Sequence, residues 1–272
     1  MAQLIWSEQN GVPASDRGLA YGDGLFETIR VCAQQPLLLD RHVRRMQEGA
    51  RRLGIPVGGD LLHAAVARAL DRYAREGEWI LKLILTRGSG GRGYGVPVVA
   101  APRLILSAHP KPAVPGREGV SAALSPSQVH VSPQLAGLKT LNRLDQVMAT
   151  LTHPRGVYES ILTDGAGRLV EGTRTNLLLD LGSVWVTPPQ AQLAVRGVML
   201  AAVSDALDRA GERVRERPVS LAHLRSPVCQ GLYLLNSVIG AVPVRNIGCF
   251  ELPLTDRLAT ICPLETIGKS SA

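Results

Sequence analysis

The chain is poor in aromatic residues and in sulfur. Aromatic residues make up only 4% of its 272 residues, with two phenylalanines. Platforms for stacking nucleic-acid bases are therefore scarce. Its four cysteines, Cys32, Cys229, Cys249 and Cys262, form no CxxC pair and no metal-like spacing with histidine. That pattern argues against a zinc site or a disulfide framework, and for a reducing cytoplasm. No metal is expected. Long apolar runs are missing too: Trp79–Leu85 is interrupted by Lys82, and Leu232–Leu235 ends at Asn236. A bilayer span needs roughly 20 apolar residues. The opening stretch, Met1 to Glu8, lacks a basic segment followed by an apolar one. No signal peptide and no membrane association are expected.

Lysine is also rare. There are four, Lys82, Lys111, Lys139 and Lys269, against 26 arginines. Where only charge matters, this chain uses arginine. A retained lysine raises the question of an amine nucleophile, a role arginine does not fill. The net charge of +7 is spread along the chain. Its densest stretch, Arg41-His42-Val43-Arg44-Arg45 with Arg51-Arg52, has the spacing of a solvated helix face. A small anionic substrate suits that charge as well as a nucleic acid does. A basic nucleic-acid-binding domain without catalysis is the remote alternative.

What is present is globular: 45% hydrophobic and 19% charged residues, enough for one large or two modest domains. Residues 2–6 suggest a strand, with a turn at Asn10-Gly11, and 25–32 alternate as a second strand. Leu39, Val43, Met46, Ala50 and Leu53 have helical spacing, with Asp40 as N-cap and Gly54 as stop. A second helix is expected over 61–73. Strands at 79–86 and 103–108 then flank a glycine-rich loop, 87–95. Three prolines and two glycines in 109–119 mark a linker. Beyond it, strand patterns at 120–125, 157–163, 169–170, 176–181, 184–187 and 231–239 accompany a helix over 197–210. There is no internal repeat.

Four segments carry chemistry. They are Ser15-Asp16-Arg17-Gly18-Leu19-Ala20-Tyr21-Gly22-Asp23-Gly24-Leu25-Phe26-Glu27-Thr28-Ile29-Arg30, Arg87-Gly88-Ser89-Gly90-Gly91-Arg92-Gly93-Tyr94, Gly137-Leu138-Lys139-Thr140-Leu141-Asn142-Arg143, and Val170-Glu171-Gly172-Thr173-Arg174-Thr175-Asn176 with the later Arg196-Gly197-Val198-Met199. Taken alone, each is ambiguous. Lys139 lies among Leu138, Leu141 and Leu144: either a partly desolvated nucleophile, or a surface lysine with its stem on leucines. Glu171 beside Arg174 is either a strand-end ion pair or a buried functional carboxylate. Ser237, after Asn236, is either a satisfied core hydroxyl or a ligand contact.

Together, and in this order along nearly the whole chain, the segments resemble the fold-type IV pyridoxal 5′-phosphate enzymes. These comprise branched-chain aminotransferases, D-amino-acid aminotransferases and 4-amino-4-deoxychorismate lyases. The Arg87–Tyr94 loop and the run from Gly137 to Arg143 are most similar to the lyase branch. The resemblance implies a two-domain α/β (α+β) fold, with a smaller N-terminal domain (1–110), a linker (111–119) and a larger β-rich C-terminal domain (120–272) holding Lys139. It implies a homodimer, with the cofactor held as a Schiff base on Lys139.

It also implies roles. Glu171 would keep the cofactor's ring nitrogen protonated, with Asn176 nearby. Arg45, Ser237 and the turn at Gly197, Val198 and Met199 would hold the phosphate, at a helix N-terminus suited to an anion. Met199 replaces the family's usual threonine, so only its backbone is available. Phe26, Thr28 and Arg30 share one strand face, which lines the substrate pocket in relatives, and Thr28 is a candidate for proton transfer. Arg92 and Tyr94, on the loop, would meet a dianionic substrate, and Asn142 follows the lysine in the lyase-like run. Aminotransferases carry tyrosine where this chain has Leu144, which favours the lyase branch over transamination.

Overall fold

A computed structural model describes residues 2–130, 132–189 and 195–263. The chain divides into two compact units. One comprises Met1–Pro112 and Leu138–Asn142; the other begins with Ala113–Gly137 and resumes at Arg143. The division falls inside the expected linker. The expectation that Lys139 sits in the C-terminal domain fails in one respect: its five-residue segment clusters with the first unit, because it pairs with a strand there.

The first unit contains β1 (Gln3–Trp6), α1 (Arg17–Tyr21), β2 (Gly24–Cys32), β3 (Gln35–Pro36), α2 (Leu39–Leu53), α3 (Gly59–Tyr73), β4 (Glu78–Thr86) and β5 (Arg103–Pro110). The strands form one sheet in the order β1-β5-β4-β2-β3. β2 alternates strictly, so Leu25, Ile29 and Val31 face inward and pack with Val43, Met46 and Ala50 of α2 and Leu81, Leu83 and Leu85 of β4. Helix α2 ends where expected, at Gly54 in the left-handed region. Its start differs: the cap position is Leu38, and Asp40 lies in the first turn with its Oδ1 3.1 Å from His63 Nε2. A carboxylate there still opposes the positive helix end. The early turn covers 7–9 rather than Asn10-Gly11.

The second unit contains β6 (Val120–Gln128), α4 (Leu144–Leu151), β7 (Glu159–Thr163), β8 (Leu169–Gly172), β9 (Asn176–Asp180), β10 (Trp185–Thr187), α5 (Val198–Arg209), β11 (Val214–Glu216), α6 (Leu221–Leu224), β12 (Gly231–Asn236), β13 (Gly240–Ile247), β14 (Phe250–Glu251) and α7 (Arg257–Ile261). Its sheet runs β11-β10-β9-β12-β13-β6-β7-β8, with β14 added to β13. β9 and β12 are central, and every residue of β9 is buried, hence their unbroken apolar runs. The expected strand 231–239 ends at Asn236. Asn236 Oδ1 accepts from the Val238 and Ile239 N–H groups at 2.9 Å and turns the chain, so Ser237 sits in a hairpin. Among the described residues no helix is long and apolar enough to cross a membrane.

Leu81 is completely buried in the first core. Leu81→Ala is expected to cost about 2–5 kcal/mol, read as a lower urea midpoint at an unchanged slope. A shift below about 1 kcal/mol would contradict this packing.

Candidate active site

The chemistry of the first unit gathers on β2. β3 pairs only with Val31 and Cys32, so the other end of that edge of β2 accepts the lysine segment. Phe26 N–H donates to Lys139 O at 3.0 Å, Leu141 N–H to Gly24 O at 3.0 Å, and Leu25 bridges Thr140. This places Lys139 Nζ 4.2 Å from the centre of the Phe26 ring. Lys82 Nζ, opposite Thr28 on β4, lies 5.6 Å from the same ring. Phe26, Thr28, Lys82 and Lys139 thus meet on the face away from the core, as the alternation predicts for Phe26 and Thr28.

The opposite face of β2 carries an unexpected group. Glu27 lies between Leu25 and Ile29 and is 2% exposed. Its Oε1 accepts from Arg45 Nε at 2.7 Å, and its Oε2 from Arg45 Nη2 at 2.5 Å. The same Oε2 is 2.6 Å from Nδ1 of His42, which is also fully buried. Burial would raise the Glu27 pKa, but Arg45 and His42 outweigh it and hold the carboxyl below the usual range. Burial pushes His42 down, and the charges of Arg45 and Lys139 act in the same direction against the pull of Glu27. His42 is therefore neutral. A carboxylate only accepts, so Nδ1 carries the proton and Nε2 is bare; Nε2 has no hydrogen-bond partner among the described residues.

In the second unit, Glu171 on β8 is 3% exposed. Its Oε1 accepts from Gln146 Nε2 at 3.3 Å and its Oε2 from Val195 N–H at 3.2 Å. Asn176, at the start of β9, donates from Nδ2 to Val195 O at 3.0 Å. Its Oδ1 fills the space beside Gly197, where a Cβ would lie 1.7 Å from it. Gly197 caps α5 without any side-chain hydrogen bond. Glu171, Asn176 and the Gly197–Met199 turn are thus joined through Val195. Ser237 lies in its hairpin beside Asn236, whose Nδ2 reaches Arg174 O at 3.2 Å.

The expected substrate residues are more scattered. Arg30 is paired with Glu78, which also holds Lys111 at 2.9 Å. Arg92 is exposed, and Tyr94 is 86% exposed with its ring edge-on to Tyr21. Asn142 donates to Gly22 O at 3.3 Å. The loop itself is held by Arg17, which sequence reasoning overlooked. Its buried guanidinium donates to the carbonyls of Gly90, Gly93, Tyr94 and Gly95 and to Asp23. Burial raises the Asp23 pKa, but Arg87 and Arg17 together hold it low. Glu27 and His42 were also overlooked. The available signal was a charge at an inward position of β2 and a histidine three residues before Arg45 on one helix face.

The family described as amino-transferase class IV matches residues 24–247. The chain belongs to this family. It is 38% identical to the crystal structure of 4-amino-4-deoxychorismate lyase from Pseudomonas aeruginosa, with 94% of this chain and 95% of that chain covered and a TM-score of 0.88. It is 30% identical to a putative branched-chain-amino-acid aminotransferase of Methanocaldococcus jannaschii, covering 87% of this chain and 82% of the relative. It is also 25% identical to a hypothetical aminotransferase from Mycobacterium tuberculosis in its PLP-bound form, covering 98% and 96%, with a TM-score of 0.81. The fold is that of the fold-type IV enzymes, and the cofactor of this class IV chain is pyridoxal 5′-phosphate. The residues present fit it. Each unit by itself offers groups of the chemistry the cofactor would need: the first a primary amine at Lys139 and a guanidinium at Arg45, the second a buried carboxylate at Glu171 and, at the start of α5, a cap with no side-chain hydrogen bond.

Two outcomes follow. His42 has a folded-state pKa below its ordinary 6.5, so the unfolded chain takes up its proton first as pH falls. Stability from neutral His42 is complete above about pH 6.5 and is lost on acidification. Glu27, also lowered, adds a further loss below its ordinary value of 4.5. His63 is shifted the opposite way by Asp40 but is largely exposed, so its effect is small. Between pH 7.5 and 5.5 the wild-type melting temperature should fall more than that of His42→Gln; equal falls would refute this assignment. Separately, Gly197→Ala forces Asn176 from its place and should weaken cofactor binding at least ten-fold in fluorescence titration, whereas unchanged affinity would show that the turn is not used.

Proposed function

We propose that this chain is a pyridoxal-phosphate-dependent lyase that converts 4-amino-4-deoxychorismate to 4-aminobenzoate and pyruvate, a step of folate biosynthesis. The observation that carries this reading is the 38% identity to a lyase over 94% of the chain, and the Lys139 segment docked on β2 accords with it. When bound, the cofactor supplies a sink for an electron pair. Lys139 Nζ removes the proton from the ring carbon bearing the amine. The C–O bond to the enolpyruvyl group breaks, the ring becomes aromatic, and Lys139 returns a proton to the departing enolpyruvate, which becomes pyruvate. Thr28, beside Lys82 on the same face, is the second candidate for that return. Glu171 holds the ring nitrogen's proton. Arg45, Ser237 and the backbone of Val198 and Met199 bind the phosphate. Arg30, Arg92, Tyr94, Phe26 and Asn142 belong to the substrate side.

Leu144 supports the lyase over a transaminase. It offers no hydroxyl and is 75% exposed at the start of α4. Leu144, Val147, Met148 and Leu151 form one exposed apolar stripe at helical spacing. A stripe of that kind supports a homodimer. The cysteine usage and the small anionic substrate fit the cytoplasm.

The wild type supplied with 4-amino-4-deoxychorismate should release 4-aminobenzoate without any amino-acceptor. Lys139→Ala should lose both this product and the near-visible absorption of the holoenzyme. The second reading, a branched-chain or D-amino-acid aminotransferase, is favoured by the Methanocaldococcus relative. Amine transfer that requires 2-oxoglutarate, with no 4-aminobenzoate formed, would establish it and overturn the lyase.

A further inference from the structure

We propose that Glu27 is the positioning residue of the phosphate-binding arginine. From inside the core it fixes the Arg45 guanidinium, so that Arg45 acts on the phosphate as an aimed donor and not as a diffuse charge. This rests on the reading that Arg45 meets the cofactor phosphate.

The geometry carries it. Both Glu27 oxygens engage one edge of the guanidinium, Nε at 2.7 Å and Nη2 at 2.5 Å. Two parallel contacts fix the plane and direction of the group, which one contact does not. Glu27 is held in turn. Leu25 and Ile29 bracket it on a buried strand face, and His42 Nδ1 lies 2.6 Å from Oε2. His42 and Arg45 are three residues apart on α2, so both reach the same carboxylate from one helix face. The three side chains hold one negative and one positive charge. Attraction to a phosphate then depends on where the N–H groups point more than on net charge.

The test compares pyridoxal 5′-phosphate with pyridoxal, which lacks the phosphate, on the full-length chain freed of cofactor. The readout is the ratio of their dissociation constants by fluorescence titration. Arg45→Met should reduce the preference for the phosphorylated form. Glu27→Gln should reduce it on the order of ten- to a hundred-fold, the range seen when a residue that orients a metal ligand is lost. Pyridoxal affinity itself should hold. A merely structural Glu27 would weaken both ligands alike and leave the ratio unchanged, which overturns the proposal while the Arg45 reading stands. An unchanged ratio in Arg45→Met sinks the Arg45 reading and the proposal with it. Should Glu27→Gln not fold, Arg45→Lys decides, because it keeps the charge but loses the two-point grip. A ratio as low as that of Arg45→Met supports aiming; a wild-type ratio means charge suffices and overturns it.

Discussion

A carboxylate on the core-facing side of β2 is the constraint around which the first unit is arranged. Glu27 occupies an inward position that alternation reserves for apolar side chains. Buried without partners it would cost several kcal/mol, and removing one partner of such a pair typically costs about 3–5 kcal/mol. Helix α2 supplies both partners, so its register on the sheet is set by His42 and Arg45 as well as by Val43, Met46 and Ala50. A helix rotated by one residue, about 100°, would turn Asp40, Arg44, Gln47 and Arg51 toward the sheet and lose the ion pair together with the apolar contact. The charge thus adds a directional demand to the packing, and both set the same register.

The two faces of β2 then divide the labour. Inward residues fix α2, and on the outward face Phe26 meets the lysine segment while Thr28 lies opposite Lys82. That segment is held by backbone pairing: the Gly24 carbonyl and the Phe26 N–H need partners, and Leu141 and Lys139 provide them. Lys139 is placed by strand register, with its amine over the Phe26 ring. In the second unit the same economy appears at Val195. Its N–H meets Glu171 and its carbonyl meets Asn176, so one residue links the buried carboxylate to the side chain beside Gly197.

Much of this was legible in the sequence. Alternation in 25–32 gave the strand and its faces, and helical spacing gave α2 to its stop at Gly54. The rarity of lysine raised the question of an amine nucleophile, and the motif order pointed to the family and, through it, to Lys139. What escaped was long-range. Nothing local tells that Arg30 meets Glu78, 48 residues away, or that Arg17 reaches carbonyls more than 70 residues away. Asp40 was misjudged as a cap because its chemistry suits the cap and the first turn alike. Ser237 was extended into a strand because the cap-like reach of Asn236 to two following N–H groups is invisible in a run of apolar letters.

Arg17 shows how the glycine-rich loop keeps its shape. Its guanidinium gathers four carbonyls of the glycine-rich loop, and Gly91 can turn inward only because it has no side chain: its φ is +79°, and a Cβ would lie 2.1 Å from Gly95 O. The shape of the loop is therefore written in backbone and glycine. Arg92 and Tyr94 project from it without contributing to that shape, so they are open to change at little structural cost. The buried polar groups are the reverse case. Glu27, Arg45, Glu171 and Asn176 are tied into buried hydrogen-bond sets, where each change leaves a polar atom unpaired. Change is therefore cheap on the exposed loop and costly in the buried polar sets.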